Sequence, residues 1–166
     1  MVNHDIAPPP RETFEDAYPL SPVQEGLLFH SLYAPDSGAY VSQISVRIES
    51  PEAAGFVDAW RTVVARHPAL RTAYVWKQTE HPLQVVVRQL EMPLAREDWR
   101  ALQPAEVERR LAAYLAADAR RGFNPAKPPL MRLALVALAG GASLMIWTFH
   151  HLLLDCLLYT SDAADE

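Results

Sequence analysis

Two adjacent histidines and a nearby carboxylate, in His150-His151-Leu152-Leu153-Leu154-Asp155, close the last hydrophobic stretch of the sequence. Imidazole titrates near neutrality, so a histidine at a strand end is a natural group to accept a proton or to hold a nucleophile. Neighbouring strand residues point to opposite faces, so the two rings are not expected to serve one site. One is expected to enter a cleft while the other packs into the protein. The same alternation argues against a single metal held by both. Asp155 lies where a turn brings it back to fix the loop or to orient an imidazole. The plain alternative is a pair of structural histidines.

A second cluster, Arg66-His67-Pro68-Ala69-Leu70-Arg71-Thr72, spans a helix end and the start of a strand. Burying Arg71 among apolar neighbours is costly unless a carboxylate meets it. Asp155 is a candidate partner; the alternative is that Arg71 points to solvent. Other constellations are weaker. Arg109-Arg110 and Arg120-Arg121 read as a solvated helix face, open to an acidic partner. Ser21 is explained by capping, and there is no Gly-x-Ser-x-Gly elbow, glycine-rich phosphate loop or Cys-x-x-Cys pair.

The elements that must position these groups follow from pattern. The chain to residue 17, with Pro8-Pro9-Pro10, reads as a linker. Ser21-Pro22-Val23-Gln24 carries a helix start: Ser21 caps, Pro22 takes the first helical position and Gln24 reaches back. Val23, Leu27, Leu28 and Leu32 are expected to form its inner face, with a turn at Pro35-Asp36-Ser37-Gly38. A strand follows over 40–49, where Ile44, Val46 and Ile48 alternate with Ser45 and Arg47. Ser50-Pro51-Glu52 starts a second helix with Phe56, Trp60, Val63 and Val64 at helical spacing, ended by Pro68. Strands are expected over 70–76 and 83–90. A long helix over 104–121 turns Val107, Leu111, Tyr114 and Leu115 inward and stops at Gly122. From Leu133 to Phe149 the chain is uncharged, but Gly140-Gly141 breaks the run as a turn would, which favours a buried hairpin over a membrane span. Together these give an α/β fold: a two-layer sandwich of a mixed sheet with packed helices.

At 166 residues the chain has room for one domain. Half of it is hydrophobic and 21% is charged, which suits a globular core. Its formal net charge of −5 disfavours nucleic acid as a partner. A single cysteine, Cys156, excludes an internal disulfide framework. With no signal-like opening, the expected location is cytoplasmic.

In combination, these segments resemble the condensation domain of nonribosomal peptide synthetases. The run from Tyr18 to His30, Tyr-Pro-Leu-Ser-Pro-Val-Gln-Glu-Gly-Leu-Leu-Phe-His, is similar to that family's opening motif. Arg66 to Thr72 resembles its second motif, and His150 to Asp155 all but the last residue of its active-site motif. Arg121-Gly122-Phe123 and Ile146-Trp147-Thr148-Phe149 are similar to intervening sequence. The resemblance covers residues 18–155 and departs from the family in two places. Cys156 stands where the family has glycine, and residues 156–166 show no similarity, so that segment reads as a non-native tail.

The resemblance implies a chloramphenicol-acetyltransferase-like lobe, the first of two, with the second lobe missing and the chain inactive alone. It implies peptide-bond formation between carrier-bound aminoacyl and peptidyl thioesters, as in antibiotic biosynthesis. His151 would be the catalytic histidine, as general base or as the group that positions the amine. His150 would be structural, and Asp155 and Arg71 would form an ion pair bracing the loop. Arg66 and His67 match family positions without an evident task. No cofactor or metal is expected to bind directly; substrates arrive on the phosphopantetheine of partner carrier domains, beside an adenylation domain, with no membrane involved. Leu152-Leu153-Leu154 lean toward a D-configured donor. Rival readings are an epimerization domain, a coenzyme-A-dependent acyltransferase of the same fold, or a non-catalytic recruitment domain.

Overall fold

The computed structural model describes residues 13–34, 38–49 and 53–153. The chain first enters strand β1 (Phe14–Pro19) and then helix α1 (Pro22–Tyr33). Strand β2 (Val41–Ile48) and helix α2 (Ala53–Arg66) follow. A short 3₁₀ turn over Pro68–Arg71 leads into β3 (Thr72–Val75), β4 (Leu83–Val87) and β5 (Leu94–Asp98). The long helix α3 (Pro104–Arg121) precedes the hairpin β6 (Met131–Ala137) and β7 (Ser143–His150).

The strands form two sheets. β1, β4 and β3 make a three-stranded antiparallel sheet, and a four-stranded sheet runs in the order β2-β7-β6-β5. The second is mixed, because β5 pairs with β6 in parallel while β2, β7 and β6 are antiparallel. The α/β class is as expected, with the mixed sheet joined by a smaller antiparallel one. Opposite partners in a ladder share a face, so Ser42, Phe149 and Met131 lie on one side of the mixed sheet and Thr148 and Arg132 on the other.

Two cores result. Ala134, Val136 and Ile146 pack with Trp99 beneath Val107, Leu111, Tyr114 and Leu115 of α3, the inner face read from its spacing. Met131 and Phe149 join Leu28, Val64, Leu70, Tyr74, Leu130, Leu152 and Leu153 in the other. The second core encloses the segment that follows the histidines.

Local chemistry explains most boundaries. Ser21 Oγ accepts from Gln24 N–H while Gln24 Oε1 accepts from Ser21 N–H, the reciprocal cap expected at α1. Gln103 and Glu106 form the equivalent box at α3. Gly140 and Gly141 have φ of 77° and 83°, a left-handed turn that glycine adopts without strain. The uncharged run is thus a hairpin, and among the described residues no helix is long and apolar enough to cross a membrane.

Three expectations need correcting. A linker extending to residue 17 does not hold, because β1 begins at Phe14 and pairs with β4. The buried face of α1 carries Gln24 and Leu28 rather than Val23 and Leu32, which are 61% and 38% exposed. Gln24 is inside because its amide, after closing the cap, bonds Gln84 of β4 at 3.3 Å. On α2, Val57 and Val64 are buried and Val63 is exposed. Expected features at residues 35–37 and 50–52, along with Leu154, Asp155, Cys156 and the tail, lie outside the described residues.

Candidate active site

β7 ends at His150, and the chain turns at His151–Leu153 into the core. Four hydrogen bonds hold that turn. His150 N–H donates to Leu130 C=O and His151 N–H to Tyr40 C=O, both at 2.9 Å. Leu152 N–H donates to His150 Nδ1 at 3.1 Å. The Tyr74 hydroxyl, on a residue 1% exposed in β3, donates to Leu152 C=O at 2.9 Å.

The two rings part company as strand alternation requires. His150 is 5% exposed, and its Nε2 lies 3.1 Å from Ser31 Oγ on α1. Because Nδ1 accepts from Leu152 N–H, the neutral ring carries its proton on Nε2 and donates it to Ser31. Ser31 in turn donates to Leu27 C=O at 2.6 Å. Phe123 stands edge-on to the His150 ring and Tyr40 lies against it. His151 is half-buried instead, and its Nε2 lies 3.1 Å from Ser42 Oγ on the same sheet face as Phe149.

This difference has an electrostatic consequence. Burial first, and the neighbouring His151 second, push the His150 pKa from 6.5 down to about 4. A second proton would also have to enter at Nδ1, where it would meet Leu152 N–H. Between about pH 6.5 and 4 the folded chain therefore binds fewer protons at this site than the unfolded chain. The resulting stability is fully present above about pH 6.5 and falls as the pH drops toward 4, by up to about 3 kcal/mol. We expect the His150 ring resonances to stay those of a neutral Nε2–H tautomer down to about pH 5. Titration of that ring near 6.5 would contradict the assignment.

Arg71 is buried, and the carboxylate that meets it is Glu15. Arg71 Nη1 donates to Glu15 Oε2 at 3.0 Å and, in a short contact, to Val87 C=O. Its Nε and Nη2 reach Val64 and Ala65 C=O at 3.2 and 3.5 Å. The side chain does not point to solvent; it ties β1, β4 and the end of α2 together. Asp155, the partner expected from sequence, lies outside the described residues. Arg66 and His67 are exposed.

Sequence reasoning missed Ser31, Ser42, Tyr74 and Glu15 as neighbours of these groups. A further buried brace was also missed: Arg132 bonds Asp118 at 2.9 Å and Gly122 C=O at 2.6 Å and lies 4.0 Å from the Phe123 ring centre. It fastens the end of α3 to β6, and Phe123 beside it touches His150. The signal that could have found it is an arginine inside an apolar strand, the same signal that marks Arg71.

Comparison with known proteins gives this geometry a context. The family described as Condensation domain matches residues 14–157. The chain is 45% identical over 141 residues to a linear gramicidin synthase polypeptide of Brevibacillus parabrevis, covering 85% of this chain and 3% of that protein. It is 36% identical over 146 residues to tyrocidine synthase 2 of the same organism, covering 87% of this chain and 4% of that protein. It therefore spans a few per cent of the length of these relatives. Among solved structures, the starter condensation domain of rhizomide synthetase RzmA superposes with a TM-score of 0.73 at 24% identity, over 83% of this chain and 34% of that one. Holo-AB3403, a four-domain nonribosomal peptide synthetase, gives 0.73 at 17% identity, over 84% and 10%. The fold is that of condensation domains, the chloramphenicol-acetyltransferase-like lobe expected from sequence. With a family match over most of its length, the chain belongs to the condensation-domain family of nonribosomal peptide synthetases.

Proposed function

We propose that this lobe forms peptide bonds between carrier-bound thioesters, with His151 as its catalytic residue. The observation that carries the reading is the division between the histidines. His150 is sealed at both ring nitrogens, whereas His151 is half-exposed with one neutral partner. In the reaction, the amine of a downstream aminoacyl group attacks the carbonyl carbon of the upstream thioester. A C–N bond forms, the C–S bond breaks, and the proton leaving nitrogen ends on the departing thiolate. A free α-amine is largely protonated near its pKa of about 8, so a group that takes a proton from it or orients its lone pair is useful. His151 supplies that group. His150 and Arg71 are scaffold, and we assign Asp155 the same role.

Substrates on this reading are presented on phosphopantetheine by carrier domains, next to an adenylation domain. The family relatives, among them synthases named for gramicidin and tyrocidine, support that setting. The chain matches only about a third of a solved condensation domain. We therefore expect no amide product from the 166 residues alone.

The reading is tested in a longer synthetase carrying this segment, supplied with separately loaded donor and acceptor carriers. A new amide on the acceptor carrier is the expected product. Inversion of the donor stereocentre without bond formation would instead mark an epimerization domain. Amide formation only from coenzyme A thioesters would mark a stand-alone acyltransferase, and carrier binding without any chemistry a recruitment domain.

A further inference from the structure

We propose that Ser42 is a positioning residue for His151, an inference that rests on the reading of His151 given above. Ser42 Oγ lies 3.1 Å from His151 Nε2, and among the described residues it is the polar side chain bonded to that ring. Its place is set by the sheet rather than by a loop. β2 and β7 pair without a register shift from Val41↔His150 to Ile48↔Ser143, with Ser42 opposite Phe149. Two residues earlier, Tyr40 C=O accepts from His151 N–H at 2.9 Å. The main chain and ring of His151 are thus both tethered to the beginning of the same strand. Ser42 is itself half-buried, so its hydroxyl is not lost to bulk water.

The chemistry of the partner fits a histidine that changes protonation state. A hydroxyl donates to an unprotonated Nε2 and accepts from a protonated one, so the bond survives a proton cycle. Being neutral, it does not hold the ring as imidazolium, as a carboxylate would. His150 shows the contrasting arrangement, in which a main-chain N–H occupies Nδ1 and denies the second proton. Two adjacent histidines are therefore set for opposite behaviour by their partners: one locked, one free to cycle while its ring stays aimed.

The test uses ¹⁵N ring spectra of the 166-residue chain and kinetics of a longer synthetase carrying it, each with Ser42→Ala and Ser42→Thr. Ser42→Ala is expected to shift the His151 Nε2 resonance, and Ser42→Thr to restore it. The His150 nitrogens stay in place and report an intact fold. In the synthetase, Ser42→Ala is expected to lower kcat about threefold to tenfold, the kinetic size of one hydrogen bond, with KM for the carriers unchanged. Ser42→Thr recovers most of the loss. His151 nitrogens unchanged in Ser42→Ala, or an unchanged kcat, would overturn the proposal. The ring spectra need no turnover. If the synthetase forms no amide at all, the reading of the reaction fails, while the spectra still decide whether Ser42 holds the ring.

Discussion

Replacing Arg71 by alanine is expected to lower the folding stability of the chain by about 3–5 kcal/mol, a large part of the roughly 5–15 kcal/mol that a domain has. The guanidinium is 6% exposed and serves four acceptors on three elements. Val64 and Ala65 offer carbonyls from the last turn of α2, where no intrahelical donor reaches them and where a cation is favoured by the helix dipole. Val87 C=O closes the end of β4. Alanine would leave these groups without their donor in a place water reaches poorly, and each such loss is expensive. Glu15→Gln provides the contrast. The Glu15 side chain is 49% exposed, so its share of the ion pair is screened and the expected cost is about 1 kcal/mol or less. Urea unfolding of both variants checks this. Equal losses would mean that the ion pair, rather than the carbonyls, makes Arg71 matter.

Arg71 also shows how much could be read from sequence. That a buried arginine needs acceptors follows from its type and its apolar surroundings. Which acceptors it finds does not, because Glu15 sits 56 positions away in a segment whose proline run reads as linker. β1 gains its order from pairing with β4, not from any pattern of its own. β5, Leu-Ala-Arg-Glu-Asp, escapes sequence reading for the same reason. Its residues are mostly exposed, and its place comes from parallel pairing with β6. Where local chemistry decides, the residues are explicit: Pro104 and Gly122 bound α3, and Gly140-Gly141 turn the hairpin.

The candidate site divides in the same way. Opposite faces for His150 and His151 follow from strand alternation alone. The groups that give each ring its character come from far along the chain: Ser31 is 119 residues from His150, and Ser42 is 109 from His151. Helical spacing on α1 points to an all-apolar inner face, and so hides that α1 delivers a hydroxyl, from Ser31, to the buried histidine. Family resemblance supplies what neither pattern nor composition could, the ranking of His151 above His150. Burial and hydrogen bonding of the two rings support that ranking in physical terms.

The other large effect is on rate. His151→Ala in a longer synthetase is expected to slow amide formation by about 10²–10⁴-fold, the usual contribution of a positioned acid–base group. Little stability should go with it. The tether from His151 to Tyr40 uses the main-chain N–H, and the turn keeps its bonds through Leu130, His150 and Tyr74. The same substitution at His150 should behave oppositely: it removes the acceptor for Leu152 N–H and the partner of Ser31 from a buried place, so the fold suffers first. The most direct measurement is single-turnover amide formation by the His151→Ala synthetase with both carriers already loaded, followed by mass spectrometry of the acceptor thioester. A fall of at least about 100-fold, with unchanged thermal unfolding, is predicted. A rate within about twofold of the parent, far short of that contribution, would contradict a catalytic role for His151.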